Sequence, residues 1–400
     1  MGESMMYIYA DNAATTEMSP AAKRRMTEVI NESWGNPSSL HGNGQAAKEV
    51  LEQARETVAS CIGAKPGEIY FTSGGSEADN QAIISAAEAG AKKGKMHLIS
   101  TKFEHHAVLH TLERLKKQGF SVTLLDVHED GMVRPEEVAA AISPDTALVS
   151  VMYANNEIGT VQPIREIGAI CREKGVLFHT DAVQAVGHIP VNAAEDAVDY
   201  LSVSGHKFHG PKGIGFLYAR RGAPLRSLID GGAQERGKRA GTENVPAAAA
   251  MATALSEAVG SMERDMKTVS DMRDQLIRAF SAVPHARLNG DPVHRLPGTV
   301  NFCFEGIEGE SLILYLDDLG IASSSGSACT SGSLDPSHVL LSLGLPHEVA
   351  HGSLRLSIDA YNTPEEISYI CNAVPQVVAR LREMSPVWEE LENGTRKHLI

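Results

Sequence analysis

From about residue 68 to 260, short apolar runs alternate with amphipathic stretches, and this alternation limits the fold more than any other feature. The runs Ile69–Phe71, Met96–Ser100, Val122–Leu125, Ala147–Met152, Val176–His179, Tyr200–Ser204 and Gly215–Tyr218 read as strands. Between them Asn80–Ala91, Leu109–Lys117, Pro135–Ala141 and Ile164–Glu173 read as helices. Short apolar strands separated by amphipathic helices predict an α/β fold, its mostly parallel seven-stranded sheet covered on both faces. In such sheets ligands gather at the carboxyl ends of the strands, so chemistry is sought there.

The pattern changes near residue 245. Ala247–Arg278 reads as one long helix interrupted only by Gly260, followed by a short strand over Gly298–Phe304, helices and turns. This predicts a large domain over residues 15–260 and a smaller α+β domain from residues 1–14 and 261–400. The N-terminal strand Tyr7–Ala10 can pack with either. Val387–Ile400 reads as a terminal helix or a loose tail.

With 36 basic against 50 acidic residues, the net charge of −14 argues against direct nucleic-acid binding or attachment to an anionic membrane surface. No run approaches the length of a membrane span, and the acidic start has no apolar secretory core. Met6 stands where a myristoylation signal needs Ser or Thr. A cytoplasmic location is therefore expected, where the Asn393–Gly–Thr395 sequon meets no glycosylation machinery. The five cysteines are scattered and form no C-x-x-C pair, which argues against a disulfide framework or a zinc site. Cys61, Cys171, Cys303 and Cys371 lie in apolar or helical surroundings and read as small buried hydrophobes.

Several strand ends carry reactive groups. Tyr200–Ser204 runs into Gly205, His206 and Lys207. A lysine on such a close-approach turn is placed for Schiff-base chemistry, or is an ordinary surface lysine. Asp181 ends another strand and is either a cap or the partner of a cation. Thr72 leads into Ser73–Gly–Gly–Ser76, whose backbone N–H groups can face an anion. The same residues also fit a capping box of Ser76 with Asp79, and Glu77 and Asp79 would offset the helix dipole. Ser204, His206 and Thr242 are further donors. His105 and His106 follow a strand, but adjacent side chains diverge and no third ligand has suitable spacing. A metal is not expected, and His105 reads better as a ring lying on an aromatic cofactor.

Residues 322–334 read as one loop, and its run from Ala322 to Ser333 contains hydroxyl residues, two glycines and Cys329, and no large side chain. Such a run packs no core and predicts a mobile loop. Cys329 on it is either an incidental linker residue or a chemical tool needing activation of its thiol. Arg355, in the alternating Ser353–Leu–Arg–Leu–Ser357, either pairs at a strand edge or grips a carboxylate.

Taken in order, these motifs resemble those of the NifS-like cysteine desulfurases, in the class V branch of the fold-type I pyridoxal phosphate enzymes. The matching segments are Tyr9–Ala–Asp–Asn–Ala–Ala14, Gly35–Asn–Pro–Ser38, Thr72–Ser–Gly–Gly–Ser76–Glu, Glu104–His105 and Asn155–Asn–Glu–Ile–Gly159. Asp181–Ala–Val–Gln184, Ser204–Gly–His–Lys207, Arg239–Ala–Gly–Thr–Glu–Asn244, Ser324–Ser–Gly–Ser–Ala–Cys329 and Leu354–Arg–Leu–Ser357 complete them. The cysteine segment is similar to that of the group with a long cysteine loop, whose enzymes feed iron–sulfur assembly.

The resemblance implies pyridoxal 5'-phosphate on Lys207, with Asp181 on the pyridine nitrogen and His105 stacked on the ring. Gln184 and Asn156 would touch the ring hydroxyl or the substrate. Gly75, Ser76, Ser204 and His206 would bind the phosphate, joined by Thr242 from the other subunit of a homodimer. Arg355 would hold the carboxylate of L-cysteine, and Cys329 would take its sulfur as a persulfide for an acceptor protein. A selenocysteine lyase, an aminotransferase or a silent sulfur-transfer scaffold are the alternatives. Two departures stand out. Ser76 replaces the threonine of many relatives, and Ile358–Asp359–Ala360 follows the arginine strand where glycine is common.

Overall fold

The computed structural model describes residues 7–325 and 336–400. Seven strands form the central sheet: β2 (Ile69–Thr72), β3 (His97–Thr101), β4 (Ser121–Leu125), β5 (Thr146–Ser150), β6 (Leu177–Asp181), β7 (Tyr200–Ser204) and β8 (Gly215–Ala219). The short N-terminal strand Ile8–Tyr9, β1, lies outside this sheet. The strand order is β2-β8-β7-β6-β5-β3-β4. Pairs from β7 to β4 are parallel, whereas β8 runs antiparallel to both neighbours. Two reversals cancel, so β2 points the same way as β7. The carboxyl ends of β2, β3, β5, β6 and β7 therefore emerge on one edge.

Helices α1 (Pro20–Glu32) and α2 (Gly42–Cys61) precede the sheet, and α3 (Gly75–Ala91) and α4 (His106–Lys117) follow β2 and β3. The sequence reading placed no helix before residue 68. Helix α1 is mostly polar, and α2 opens on Gly-Asn-Gly, so neither carries a wide apolar stripe. Both are held by packing on the long helix Val245–Ser281. The starts of α3 and α4 lie N-terminal to the apolar runs, because Gly75, Ser76 and His106 are turn-like in composition yet helical in conformation.

The long helix joins two cores. Its alanine-rich first half, from Val245 to Leu255, belongs to the main cluster with Phe71, Phe178, Phe208 and Phe216. Its second half contributes Val269, Met272, Leu276 and Phe280 to another cluster with Phe302, Phe304, Leu354 and Leu356. That second core covers an antiparallel sheet of β9 (Ala286–Leu288), β10 (Thr299–Phe304) and β12 (Ser353–Ser357). β1 pairs in parallel with β11 (Ile321–Ala322), so the N-terminal strand packs on this second core.

The C-terminal stretch forms the helix Pro386–Glu392 and then returns to the body. His398 donates from Nδ1 to Glu305 Oε2 at 2.7 Å, and the Leu399 N–H donates to Glu305 Oε1 at 2.6 Å. His285 and His398 stack in parallel, 3.5 Å apart and 12° off coplanar directions. An ion cannot lie in the planes of two rings stacked this way, so the trio reads as a clasp on the tail. Of the four cysteines expected inside, Cys171 and Cys303 are buried, while Cys61 and Cys371 are half-buried. Burial pushes the thiols of Cys171 and Cys303 up to about 12.

Candidate active site

At the shared edge of the strands lies a cavity of about 340 Å³. Into it converge Gly75, Ser76, His105, Asn156, Asp181, Gln184, Ser204, His206, Lys207 and Arg355, together with Ala13, Asp79 and Met152. The fold brings these together because the cavity collects the ends of five strands. Two residues singled out in the sequence are not among them. Thr242 is exposed and lines a separate small cleft with Arg239 and Glu243. Cys329 lies outside the described residues.

Lys207 sits on the single 3₁₀ turn that follows β7. Its ammonium donates to the carbonyls of Ala13 and Ala14 at 2.6 and 2.8 Å. The Tyr9–Ala14 motif thus forms one wall of the cavity. The same segment accepts the next residues of the turn: His206 Nδ1 lies 3.0 Å from Thr15 Oγ1, and the Thr16 N–H donates to the His206 carbonyl at 2.9 Å. Burial and the neighbouring Lys207 and Lys212 push the His206 imidazole down to about 4, so it is a neutral group at neutral pH.

Asp181 is the last residue of β6, with its carboxyl buried. It accepts the Val183 N–H at 2.9 Å, which fixes its direction in an Asx-type turn rather than a helix cap. Burial raises its proton affinity, and the charge of Asp79 raises it further.

The anion-binding wall is the start of α3. Its N-cap is Gly74, and no side chain caps it, so the alternative of a capping box of Ser76 with Asp79 is absent. Glu77 instead accepts from Ser73 N–H at 2.8 Å and pairs with Arg239 at 3.0 Å. Asp79 turns under the cavity floor. Glu77 stays in the first turn but spends its carboxylate on Ser73 and Arg239, and Gly75 and Ser76 at the helix start line the cavity with Ser204. Glycine is required there. A Cβ on Gly75 would lie 2.6 Å from Val183 Cγ2.

His105 caps α4, and its Nδ1 accepts the Ala107 N–H at 3.1 Å. A neutral ring so held carries its proton on Nε2. His106 diverges from it, as expected, and faces His110 and His338 at ring separations of 5.0 and 4.7 Å. Contrary to the expectation from spacing, His105 has companion carboxylates. Oxygens of Asp79 and Asp181 and a ring nitrogen of His105 lie within 4.8 Å of one another. Sequence spacing hides this, because the three residues come from α3, β6 and the turn before α4.

Arg355 is 3% exposed at the opposite wall. Its Nη2 donates to Asp11 Oδ1 at 2.8 Å and its Nη1 to the Asn156 carbonyl at 3.1 Å. Its Nε is buried without a hydrogen-bond partner among the described residues. The departure at Asp359 is accommodated locally: its carboxylate accepts the Tyr361 N–H at 2.8 Å and pairs with His209 at 3.3 Å. The turn after β12 is thus closed by a side chain where a glycine would bend freely.

The described ends on either side of residues 326–335 flank the cavity. Ser324 exchanges backbone hydrogen bonds with Arg355 at 2.6 and 3.1 Å. On the other side, Ser337 donates to buried Glu157, and His338 Nε2 contacts the Glu104 carbonyl at 3.0 Å. Several of these groups were missed in the sequence: Asp11, Ala13, Asp79, Glu104 and Glu157. Asp11, Ala13, Glu104 and Glu157 lay within recognised motifs, but nothing local tells which side chain or carbonyl faces a distant lysine or arginine.

An amine, a buried carboxylate and an uncapped helix start on one cavity suit a flat cationic ring that carries an aldehyde and an anionic group. Residues 8–370 match the family described as Aminotransferase class-V. The chain is 52% identical over 386 residues to "Cysteine desulfurase IscS" of Clostridium botulinum, covering 96% of this chain and 97% of that one. Among solved structures, "NIFS-LIKE PROTEIN" is 38% identical with a TM-score of 0.88, over 94% of this chain and all 100% of that one. "SspA in complex with cysteine" is 35% identical with a TM-score of 0.79, over 89% and 100%. The chain belongs to the class-V aminotransferase family and, within it, to the cysteine desulfurases.

Proposed function

We propose that this enzyme removes sulfur from L-cysteine, releases L-alanine, and holds the sulfur on Cys329 as a persulfide for an acceptor protein. The observation that supports it most is that Lys207, Asp181 and the open start of α3 face one cavity with Arg355 across from them. Pyridoxal 5'-phosphate fits that donor set: Lys207 for its aldehyde, Asp181 for its ring nitrogen, and Gly75, Ser76, Ser204 and neutral His206 for its phosphate. Bound there, the cofactor withdraws electrons from the substrate α-carbon, which loosens its C–H bond and then the C–S bond.

The chain supplies the rest. Arg355 orients the substrate through its carboxylate. Asn156 and Gln184 fix the ring edge, and the His105 ring covers its face with a proton on Nε2 to donate. Lys207 Nζ would take the α-proton as general base. Cys329 thiolate attacks the substrate sulfur: the S–S bond forms, the C–S bond breaks, and the carbon takes a proton. The thiolate sulfur is oxidised as the carbon is reduced, so no outside oxidant enters.

In this reading residues 15–260 form the cofactor domain and residues 1–14 with 261–400 a smaller one, joined by the helix Val245–Ser281. Thr242 serves the site of a second copy in a homodimer, consistent with its place in a separate exposed cleft. The test is incubation of the purified protein with L-cysteine, followed by peptide mass mapping. One added sulfur on the Cys329 peptide and release of alanine are expected. Sulfur on Cys61 or Cys371 instead, or alanine release only from selenocysteine, would overturn the reading. Lys207→Ala is expected to abolish the visible absorbance of the lysine-bound cofactor.

A further inference from the structure

A second carboxylate lies under the cavity floor. Asp79, in the first turns of α3, is 1% exposed. Its Oδ1 has no hydrogen-bond partner among the described residues, although the Ser202 hydroxyl hydrogen-bonds the carboxyl and partly offsets the effect of burial. The nearest ring, His179, stands 3.4 Å from that oxygen, too poorly aligned for a hydrogen bond. His179 is engaged elsewhere, with Nδ1 at 2.8 Å from Ser150 Oγ and Nε2 at 3.0 Å from Ser202 Oγ. Burial also pushes His179 down to about 4, so it offers Asp79 no positive charge at neutral pH.

Asp79 and Asp181 each place an oxygen within 4.8 Å of the other and of a His105 ring nitrogen. Two carboxylates this close in a water-poor pocket do not both ionise. The groups facing the pair are Glu104 and His105 from the turn before α4, His179 from β6, Ser202 from β7 and Lys207 from the turn beyond it. Glu104 is itself held neutral by burial, up to about 8, so it adds no compensating charge.

We propose that Asp79 is a positioning residue that acts through Asp181: it keeps the proton of the pair, so that Asp181 alone presents negative charge to the cofactor ring nitrogen. The inference rests on the reading of the cavity as a pyridoxal phosphate site. Burial raises Asp79 to about 6 and Asp181, with the charge of Asp79 beside it, to about 7, so with no cation at Asp181 the pair's proton favours Asp181; a cationic ring nitrogen beside Asp181 would reverse that order and leave the proton on Asp79. A protonated Asp79 can also donate where an ionised one would repel.

The test uses the holoenzyme and infrared difference spectroscopy at pH 7. Wild type minus Asp79→Asn is expected to show loss of one protonated carboxylic acid band. Labelling wild type with aspartate carrying carbon-13 at its side-chain carboxyl is expected to shift that band, which excludes Glu104 without any substitution. An intact band in Asp79→Asn, or no band that moves with the label, overturns the inference. Absence of visible cofactor absorbance in wild type would instead sink the reading of the site, and is read separately.

Discussion

Arg355→Lys tests the substrate-binding wall with the fewest side effects. Truncation to alanine would strip Asp11 of the partner it holds at 2.8 Å, whereas lysine keeps a cation on that side of the cavity. What lysine lacks is the second and third donor of the guanidinium fork. In Arg355 one Nη is held by Asp11, the other by the Asn156 carbonyl, and Nε has no partner among the described residues. A substrate carboxylate can therefore take Nε together with one Nη. A hydrogen bond to a charged group contributes about 1.5–3 kcal/mol, and an ammonium engaged with Asp11 loses one such bond. A loss of about 2 kcal/mol corresponds to a rise of about 30-fold in KM for L-cysteine. The assay is alanine formation against cysteine concentration, with cofactor content measured from visible absorbance on the same samples. A KM within threefold of wild type, at full cofactor content, would show that the carboxylate is held elsewhere.

Gly75→Ala is expected to weaken cofactor retention about tenfold in dialysis, because the new Cβ would press to 2.6 Å on Val183 Cγ2 at the wall beside Ser204. Arg55→Ala is expected to cost about 3–5 kcal/mol in urea unfolding, since it strands the buried Glu235, now bound bidentately at 2.7 and 2.8 Å. Glu104→Gln is expected to raise the thermal midpoint at pH 8 and to lose that advantage towards pH 4.5. Burial lifts the folded pKa to about 8, so between these pH values the unfolded chain releases a proton that the folded one keeps, and stability falls as pH rises. A neutral glutamine cannot titrate, and an equal gain at both pH values would refute the account.

Much of the central sheet was legible because each strand is a nearly unbroken apolar run between punctuated loops. The predicted Tyr200–Ser204, and the helices Pro135–Ala141 and Ile164–Glu173, match the observed bounds. Helices α1 and α2 were not legible, since they owe their stability to the alanine face of a helix some two hundred residues later, which no local pattern encodes. The start of α3 was misread for a related reason. Gly74, Gly75 and Ser76 look like loop residues and Asp79 like a cap, yet the helix begins at Gly75 and Asp79 turns inward.

The site divides along the same line. Residues at strand ends, such as Asp181, Ser204 and Lys207, could be assigned to one edge of the sheet from topology alone, because a mostly parallel sheet delivers its carboxyl ends together. Groups that arrive by long-range return could not. The Ala13 and Ala14 carbonyls reach Lys207, and Asp11 reaches Arg355, only because β1 pairs with β11 and the segment after it runs beside Ser357. That single chain crossing ties the amine on one core to the guanidinium on the other. A substrate held between Lys207 and Arg355 therefore spans both cores, and the N-terminal strand sets the distance it must bridge.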